Sequence, residues 1–479
     1  MIKTFLCYED FGAVGDGKKD DFDAIRACHE EANRTKTPVK AKPDAVYYIG
    51  GSAKSATIKT SVDFGTSRFI IDDTSLSDRQ TDIFIVASDY ERYKIDLSSL
   101  SKDAEYVDIP HEGENIYVRI FDENRKVFIR EGLNMNSGSS ASDCFTVDKN
   151  RRITPSINWD YKTITSAYAK CTDDAPITIS GGIFTTIANR EESFYRYHSR
   201  GFNINRSHVT VENVTHLVEG EIDHGAPYAG FIRSSEIVDL TVKNCLLTPH
   251  FIYKTQSKIP GKLVPMGSYD INFSASIDVK CIGIKQTVDI MDRNYWGIYT
   301  SNFCKNLYLE DCEISRFDAH QGVTNVTIKR CKLGHQCLNL IGFGKAVIED
   351  TFAYGAAFAS LRPDYGSVWN GTLTIKNCKW KPGNAKLSII GAQYSGMHDF
   401  GYECTLPKEI YIDGLEILDS EYPDSVPRVL PCYDNDFSPD KPYPYGTPDV
   451  IVIKNVKTES GKDCIITDTP ELYRNSCLQ

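Results

Sequence analysis

The feature that most constrains the fold of this chain is a strand-like segment that recurs between residues 177 and 458. In each copy, apolar residues stand two apart and are followed by Asn, Asp or Gly, a small residue and another apolar residue. Examples are Val209-Thr-Val-Glu-Asn-Val-Thr and Leu373-Thr-Ile-Lys-Asn-Cys-Lys. Such alternation is typical of a half-buried strand, and the polar residue marks a bend after which the strand continues.

The spacing of the copies predicts a solenoid. The segments start at irregular intervals of roughly 20 to 40 residues, which is the period that repeat architectures use. In a solenoid, each turn places the same strand above the previous one, and loops of unequal length leave at the corners. A cysteine follows the bend in several copies, so we expect a row of small buried side chains: Cys245, Cys312, Cys331 and Cys378. We therefore predict an all-β fold, a single-stranded right-handed parallel β-helix over residues 176–479.

The N-terminal region contains the most specific stretch, Asp10-Phe-Gly-Ala-Val-Gly-Asp-Gly-Lys-Lys-Asp-Asp. Asp20 or Asp21 stands where the cap of a helix is expected. That helix presents one apolar face, made of Phe22, Ile25, Cys28 and Ala32. The stretch resembles the opening of the pectin-lyase-like β-helix superfamily. The resemblance implies the solenoid fold and a capping helix, which with the first coil occupies residues 1–59.

Residues 60–175 break the repeat. They contain hairpin-like strands near residues 117–130 and a Ser/Gly-rich run at residues 136–142. We predict a β-rich insertion that is purely structural, forms one wall of a cleft or contacts another subunit of a homo-oligomer. Residues 419–448, rich in Pro, Asp and Tyr, predict a long ordered loop.

The charge balance excludes some partners. The chain has 54 Lys and Arg against 65 Asp and Glu, a net charge of −11, and thus lacks the basic surface that non-specific nucleic-acid or anionic-membrane binding needs. No run reaches the length of an apolar membrane helix. We therefore expect a poly- or oligosaccharide partner, with no nucleic acid and no membrane.

The 15 cysteines show no CxxC pair or Cys/His ligand spacing, so we expect no metal site and no cofactor, with Ca²⁺ entering only if the protein is a lyase. Unpaired thiols and the lack of a signal-peptide core predict a cytoplasmic protein. The alternative is a secreted protein whose signal peptide was removed before the numbering begins.

Reactive side chains are densest between residues 286 and 365, on four consecutive copies of the repeat. They are Asp289, Asp292, Arg293, Tyr295 and Trp296, then Arg316, Asp318 and His320, then His335, and finally Arg362, Asp364 and Tyr365. Aligning the cysteines of two copies places Arg316 over His335 and His320 over Asn339. Because stacked strands are ~4.8 Å apart, we expect these groups to share one pocket.

The first interpretation is a glycoside hydrolase. Asp318 and either Asp289 or Asp292 form the acid/base pair, which His320 and His335 position. The remaining residues bind sugar, by ion pairing or hydrogen bonding (Arg293, Arg316, Arg362, Asp364) or through aromatic rings (Tyr295, Trp296, Tyr365). The order of the groups is similar to that in the polygalacturonase family, whose Asn-Thr-Asp, Asp-Asp and Gly-His-Gly tripeptides are not intact here.

The second interpretation is a polysaccharide lyase or uronate C5-epimerase. Phe317-Asp-Ala-His resembles the Asp-Pro-His core of alginate C5-epimerases, with Ala319 in place of Pro. The resemblance implies that His320 is the base and that a tyrosine supplies a proton, with Tyr295, Tyr299 and Tyr365 as candidates. A third interpretation is a tailspike-like glycan-binding protein without activity.

Two further groups of polar residues are candidates for a subsite or a second centre. One is the pair His398 and Asp399. The other combines histidines, carboxylates, a tyrosine and an arginine: Tyr197, His198, Arg200, His216, Glu219, Glu221, Asp223 and His224.

Overall fold

A computed structural model describes residues 4–51, 53–76, 78–111, 113–193, 197–297, 299–393, 403–433 and 445–479. His398, Asp399 and residues 434–444 of the predicted long loop lie outside these ranges. Within them, the chain forms a 27-stranded sheet that winds into a parallel solenoid, and a separate five-stranded antiparallel sheet. No helix in these ranges combines the length and apolar character needed to cross a bilayer.

The N-terminal region caps the solenoid, as predicted. Helix α1 (Phe22–Thr35) buries the apolar face that the sequence defined. Asp21 occupies the N-cap position, and its carboxylate accepts hydrogen bonds from the backbone N–H groups of Val14 and Gly15 at 2.7 and 3.0 Å, which fixes the glycine-rich entry. The first strands are β1 (Asp16–Asp20), β2 (Val39–Lys40), β3 (Val46–Ile49), β4 (Ala56–Ile58), β5 (Val62–Asp72) and β6 (Phe84–Ala87).

The antiparallel sheet is the β-rich insertion. Its strands are β7 (Tyr93–Lys94), β8 (Asn115–Val127), β9 (Ser139–Asp148), β10 (Ile153–Thr154) and β11 (Ser166–Cys171). The insertion predicted from residue 60 begins later, because β5 and β6 pair in parallel with solenoid strands that follow the insertion. The Tyr117 hydroxyl donates to the carbonyl of Ala275 at 2.6 Å, and the Lys305 ammonium pairs with Asp143 at 2.5 Å. The sheet is thereby fixed to the side of the solenoid.

The solenoid body follows. Its strands and the hairpins on it are β12 (Ile177–Ile187), β13 (Phe202–Asn205), β14 (Val209–Glu212), β15 (Thr215–Glu219), β16 (Ile232–Ser235), β17 (Val238–Lys243), β18 (Leu246–Leu247), β19 (Tyr253–Gln256), β20 (Leu263–Met266), β21 (Ile271–Ser274), β22 (Ile277–Ile282), β23 (Lys285–Gln286), β24 (Tyr299–Glu310), β25 (Glu313–Lys329), β26 (Lys332–Asn339), β27 (Gly342–Glu349), β28 (Phe352–Gly355), β29 (Ala359–Ser360), β30 (Trp369–Pro382), β31 (Ile390–Gly391), β32 (Cys404–Thr405), β33 (Glu409–Ile417), β34 (Tyr445–Gly446), β35 (Val450–Thr458) and β36 (Cys477–Leu478). Short 3-10 helices occupy Tyr8–Phe11, Gly132–Asn134, Pro363–Tyr365 and Pro470–Leu472.

Each coil has three faces. In one coil, β13 lies on the first face, β14 on the second and β15 on the third, and each pairs with its equivalent in the next coil. Equivalent apolar residues of the repeated segments stack along the second face, in the order Val209, Leu240, Val279, Leu307, Val326, Ala346, Leu373, Ile410 and Ile451. This register confirms that the repeats are successive coils of a parallel β-helix.

The bend between the second and third faces explains why the repeated segments have Asn, Asp or Gly at the same position. The residue after the strand has a positive φ in coil after coil, for example 57° at Asn213, 64° at Gly283 and 50° at Asn377. Asn and Gly tolerate this left-handed conformation better than other residues. The cysteines that follow it are buried as expected. All 15 cysteines lie in the described ranges, and none of them forms a disulfide bond.

Candidate active site

The candidate site lies on the outer side of the first face, where β25 crosses it. Phe317 and Ala319 point into the hydrophobic core, so the alternation of the strand sends Asp318 and His320 outwards. Asp318 pairs with Thr300 in the preceding coil and with Asn339 in the following one. The sequence therefore predicted the shared face of Asp318 and His320, but not what covers Asp318.

Two guanidinium groups cover Asp318 completely. Arg316, two residues earlier, donates from one amino group to Oδ2, and Arg362, two coils later, donates from its Nη1 atom to Oδ1 at 2.7 Å. The side chain of Asp318 is fully buried. Burial alone raises the pKa of this carboxyl group, but the two guanidinium groups outweigh burial and lower the pKa to about 2.

A third arginine comes from the insertion. Arg362 holds Asp364 through two hydrogen bonds of 2.9 and 2.8 Å, and the Nε atom of Arg130 donates to the same carboxylate at 2.7 Å. The backbone N–H of Glu131 also donates to the Asp364 carbonyl at 2.9 Å. The cluster thus contains three guanidinium groups and two carboxylates, and it carries a net positive charge.

His320 and Tyr365 form a pair at the edge of this cluster. The Tyr365 hydroxyl lies 3.1 Å from Nε2 of His320, and the two rings meet edge to face. Nδ1 of His320 makes no hydrogen bond within the described ranges. Burial lowers the pKa of His320 to about 3. Asp318 opposes this shift, and the three nearby arginines act in the same direction as burial. His320 is therefore neutral at neutral pH.

Aromatic rings surround the guanidinium groups. Arg316 stacks 4.9 Å above the ring of Trp296 and lies 5.9 Å from that of Tyr269, and Arg362 lies 4.9 Å from the ring of Tyr365. A Cβ atom added to Gly267 would lie 2.3 Å from the Trp296 ring. Trp296 is thus packed between a backbone segment and an arginine, and its role as a sugar platform stays a prediction.

His335 lies in a different register from the one predicted. Ile314 pairs with Leu333, but Arg316 pairs with Cys337, so residues 334–336 bulge out of β26. His335 accordingly contacts the loop before β24, and its Nε2 lies 2.9 Å from the carbonyl oxygen of Tyr295. Burial lowers the pKa of His335. The predicted alignment of Arg316 over His335 and of His320 over Asn339 is wrong because of this bulge.

Asp289 and Asp292 lie in the turn that precedes Tyr295. The Asp289 carboxylate accepts from the N–H of Met291, and the Asp292 carboxylate from the N–H of Asn294, both at 2.9 Å. Asp289 is exposed, as is the neighbouring Arg293. Hydrogen bonds of this kind are typical of aspartates that stabilise turns.

The three candidate tyrosines have different surroundings. Tyr295 stacks on Phe251 with ring centres 5.2 Å apart. Tyr299 points into the core and stacks on Phe317. Tyr365 alone among the three has a hydrogen bond to His320 within the described ranges.

Two residues of the site were missed by the sequence interpretation, Arg130 and Tyr269. Arg130 lies 234 residues from Asp364 along the chain, in the insertion. The only available signal was an arginine at the end of a predicted hairpin strand. An open cavity of about 650 Å³ borders Arg130, and one of about 600 Å³ borders Ser360 and Pro363, so space for an extended ligand lies next to the cluster.

The second polar cluster divides into two parts. Glu219 and Asp223 are exposed. His198, Arg200 and His216 are buried, and two of them line a small internal cavity, here called the inner chamber, with Thr186, Gly201, Tyr228, Gly230, Phe231, His250 and Asp270.

The stacked coils and the capping helix define a right-handed parallel β-helix. The gp61 tailspike of Pseudomonas phage phi297 has this fold, with a TM-score of 0.52 and 11% identity over 95% of this chain and 81% of the tailspike. The Gp54 tailspike of Acinetobacter baumannii bacteriophage AP22, solved in complex with A. baumannii capsular saccharide, gives 0.51 and 10% over 99% and 79%. No protein-family model and no curated protein sequence matches the chain.

Proposed function

We propose that the protein is a carbohydrate-active enzyme that abstracts the C5 proton of a uronate residue in a polysaccharide, with His320 as the base. The observation that carries this proposal is the His320–Tyr365 pair beside three arginines. The fold likeness to a tailspike that binds a saccharide supports a carbohydrate as the ligand.

His320 has the protonation state that a base requires. It is neutral because its pKa is lowered to about 3. If Nε2–H donates to the Tyr365 hydroxyl, the lone pair of Nδ1 is free to accept a proton. A bound uronate carboxylate opposes the effect of the arginines and raises the pKa of His320, so its strength as a base increases when substrate is present.

The arginines supply the electrostatic part of the reaction. When the C5–H bond breaks, its proton moves to Nδ1 of His320 and its electron pair is delocalised onto the uronate carboxylate. Arg130 is the best placed to hold that carboxylate, since its Nε atom is bound to Asp364 while the guanidinium group borders an open cavity. A fixed guanidinium group stabilises the charge that develops there.

In the proposed reaction, Asp318 positions the two arginines that bind it and does not transfer a proton itself. Both of its oxygens accept hydrogen bonds from arginines, and its lowered pKa leaves it ionised. The acid of a glycoside hydrolase needs a raised pKa instead. Hydrolysis with Asp318 as the acid is therefore less well supported than proton abstraction by His320.

The two carboxylates of the arginine cluster do not fit the Ca²⁺ that a lyase could use. Ca²⁺ takes six to eight oxygen ligands, whereas the oxygens of Asp318 and Asp364 are bound by guanidinium groups. No group of three or more His, Cys, Asp or Glu side chains in the described ranges is arranged to hold a metal ion. No step of the proposed reaction uses one.

The test is digestion of a panel of uronate polysaccharides in D₂O. Ultraviolet absorbance of a new C4–C5 double bond reports elimination, and deuterium at C5 without that double bond reports epimerisation. Both outcomes support proton abstraction. We expect His320→Ala to lower the rate by roughly 10²- to 10⁴-fold, and the acid limb of kcat/KM to lie below the ordinary histidine pKa of 6.5.

His208→Ala is the matched control, because His208 is a partly exposed histidine whose Nδ1 pairs with Asp239 at 2.9 Å on another corner. It should retain the wild-type rate. New reducing ends without absorbance or deuterium would indicate a hydrolase and overturn the proposal. Saccharide binding without any product would indicate a glycan-binding protein and overturn it as well.

A further inference from the structure

The inner chamber contains a carboxyl group without a partner. Asp270 is 1% exposed, and neither of its oxygens has a hydrogen-bond partner within the described ranges. Nδ1 of His216 lies 3.8 Å from Oδ1, which is too far for a direct hydrogen bond. A buried carboxyl group without hydrogen bonds is costly, so the space between the two groups calls for an occupant.

His216 is oriented towards that space. Its Nε2 lies 3.0 Å from the Thr186 hydroxyl, and its ring stacks on Phe231 with centres 3.9 Å apart. These contacts fix the ring, and Nδ1 is a buried atom without a partner within the described ranges. Two unsatisfied polar groups, one on β15 and one just before β21, thus face one another.

The cavity between them suits one water molecule. The volume in which the centre of a water molecule can lie is about 10 Å³, which is about what one buried water needs. The residues that line it are all buried. The Arg200 guanidinium on its wall pairs with Asp73 at 2.8 Å, and Asp73 also accepts from the Tyr228 hydroxyl at 3.1 Å. A positive wall and a single carboxyl group disfavour a metal cation.

We propose that the inner chamber is a binding site for one neutral hydrogen-bonding molecule, a single water, which bridges the carboxyl group of Asp270 in its acid form to Nδ1 of His216. The acid O–H donates to the water, and the water donates to the imidazole nitrogen. The bridge links β15 to the residue that precedes β21.

The charges around Asp270 are consistent with a neutral pair. Burial raises the pKa of Asp270 well above its usual value, and Glu221 adds to the effect. Burial lowers the pKa of His216 well below its usual value, as does His250. The titratable groups that surround the chamber are Asp73, His198, Arg200, His216, Glu221, Tyr228 and His250.

The first test is urea unfolding of Asp270→Asn across pH. Because the folded-state pKa of Asp270 is raised, its ionisation favours the unfolded state as the pH rises above 3.8. The amide does not ionise and still bonds to the water. We expect the unfolding midpoint of Asp270→Asn to exceed that of the wild type near pH 7, with the difference shrinking towards zero as the pH falls to about 4.

The exposed Asp103→Asn is the control and should show no such trend. If Asp270 and His216 instead form an ion pair, Asp270→Asn will be less stable than the wild type near pH 7, which would overturn the proposal. A His216→Phe variant removes the water's acceptor, and its infrared spectrum should show the Asp270 acid carbonyl band at a shifted frequency.

The second test identifies the occupant. A high-resolution crystal structure should show one density peak within hydrogen-bond distance of Asp270 and His216. Soaking with Rb⁺ tests the alternative: an anomalous peak in the chamber, or a rise in stability with K⁺ in the wild type but not in Asp270→Asn, would mean a cation and overturn the assignment. An empty chamber would overturn it too.

Discussion

Asp318 and Asp270 are both buried aspartates next to the first face of the solenoid, yet their surroundings are opposite. Asp318 accepts hydrogen bonds from two guanidinium groups. Asp270 faces a neutral histidine across a small cavity and has no hydrogen-bond partner within the described ranges. The pKa of the first is lowered to about 2, and that of the second is raised well above its usual value.

The difference shows that burial does not decide the charge of a carboxyl group by itself. Burial raises the pKa of both groups, and at Asp318 the two arginines are the largest contributions that reverse its effect. Asp270 is one of the buried carboxyl groups with a raised pKa, and it faces a chamber too small for a sugar. The arginine cluster around Asp318, by contrast, borders open space and is arranged for an anionic ligand.

The sharpest way to break this comparison is to make the same substitution at both positions. Asp318→Asn removes the carboxylate charge that faces two buried guanidinium groups. Breaking such a buried pair costs about 3 to 5 kcal/mol of unfolding free energy. Asp270→Asn is expected to act in the opposite direction near pH 7. Urea unfolding of both variants measures the sign of the change in unfolding free energy at each position.

Asp364→Asn is a useful companion to Asp318→Asn, because its side chain is 28% exposed and is held by the same Arg362. It should cost less than Asp318→Asn. Equal losses at the two positions would show that the deeper burial of Asp318 does not strengthen its ion pairs. A gain in stability for Asp318→Asn would show that the ion pairs of Asp318 do not stabilise the fold.

A second, smaller effect is the pH dependence of the unfolding free energy that the ionisation of Asp318 causes. Its folded-state pKa of about 2 lies below the usual 3.8, so the folded state binds fewer protons than the unfolded state in this range. The stabilisation, about 2 kcal/mol, is present above pH 3.8 and is lost as the pH falls through about 2.

The measurement is the difference in unfolding free energy between the wild type and Asp318→Asn. This difference should become smaller as the pH falls from about 5 to about 3. The difference between Asp270→Asn and the wild type has the opposite sign, and it should also become smaller over this range. A difference that stays constant for Asp318→Asn would contradict an ionised, arginine-bound carboxylate.

The sequence predicted the fold because the determining information is local and repeated. Alternating apolar residues followed by Asn or Gly specify a strand and a left-handed bend, as at Asn213 and Asn377, and every copy gives the same result. The insertion boundary was placed too early because β5 and β6 pair with strands that follow more than a hundred residues later.

The site was predicted only in part, since it depends on registers that the repeats do not encode. The pairing of Asp318 with Arg362 joins residues 44 apart, and both lay in the predicted segment. The bulge at residues 334–336 moved His335 away from Arg316. Arg130 came from another sheet, and the isolation of Asp270 arises from burial, which no motif indicates.

The smallest expected effect concerns Arg130, the link between the insertion and the site. Its ion pair with Asp364 is partly exposed, at 17% and 28%, so Arg130→Gln should cost about 1 kcal/mol or less of stability. Under the proposed function it should raise KM for a uronate polymer, because the guanidinium group that holds the carboxylate is lost. Lys126→Gln in β8 is the control, since Lys126 is exposed and donates to Ser140. An unchanged KM in Arg130→Gln would show that the insertion stabilises the site without binding substrate.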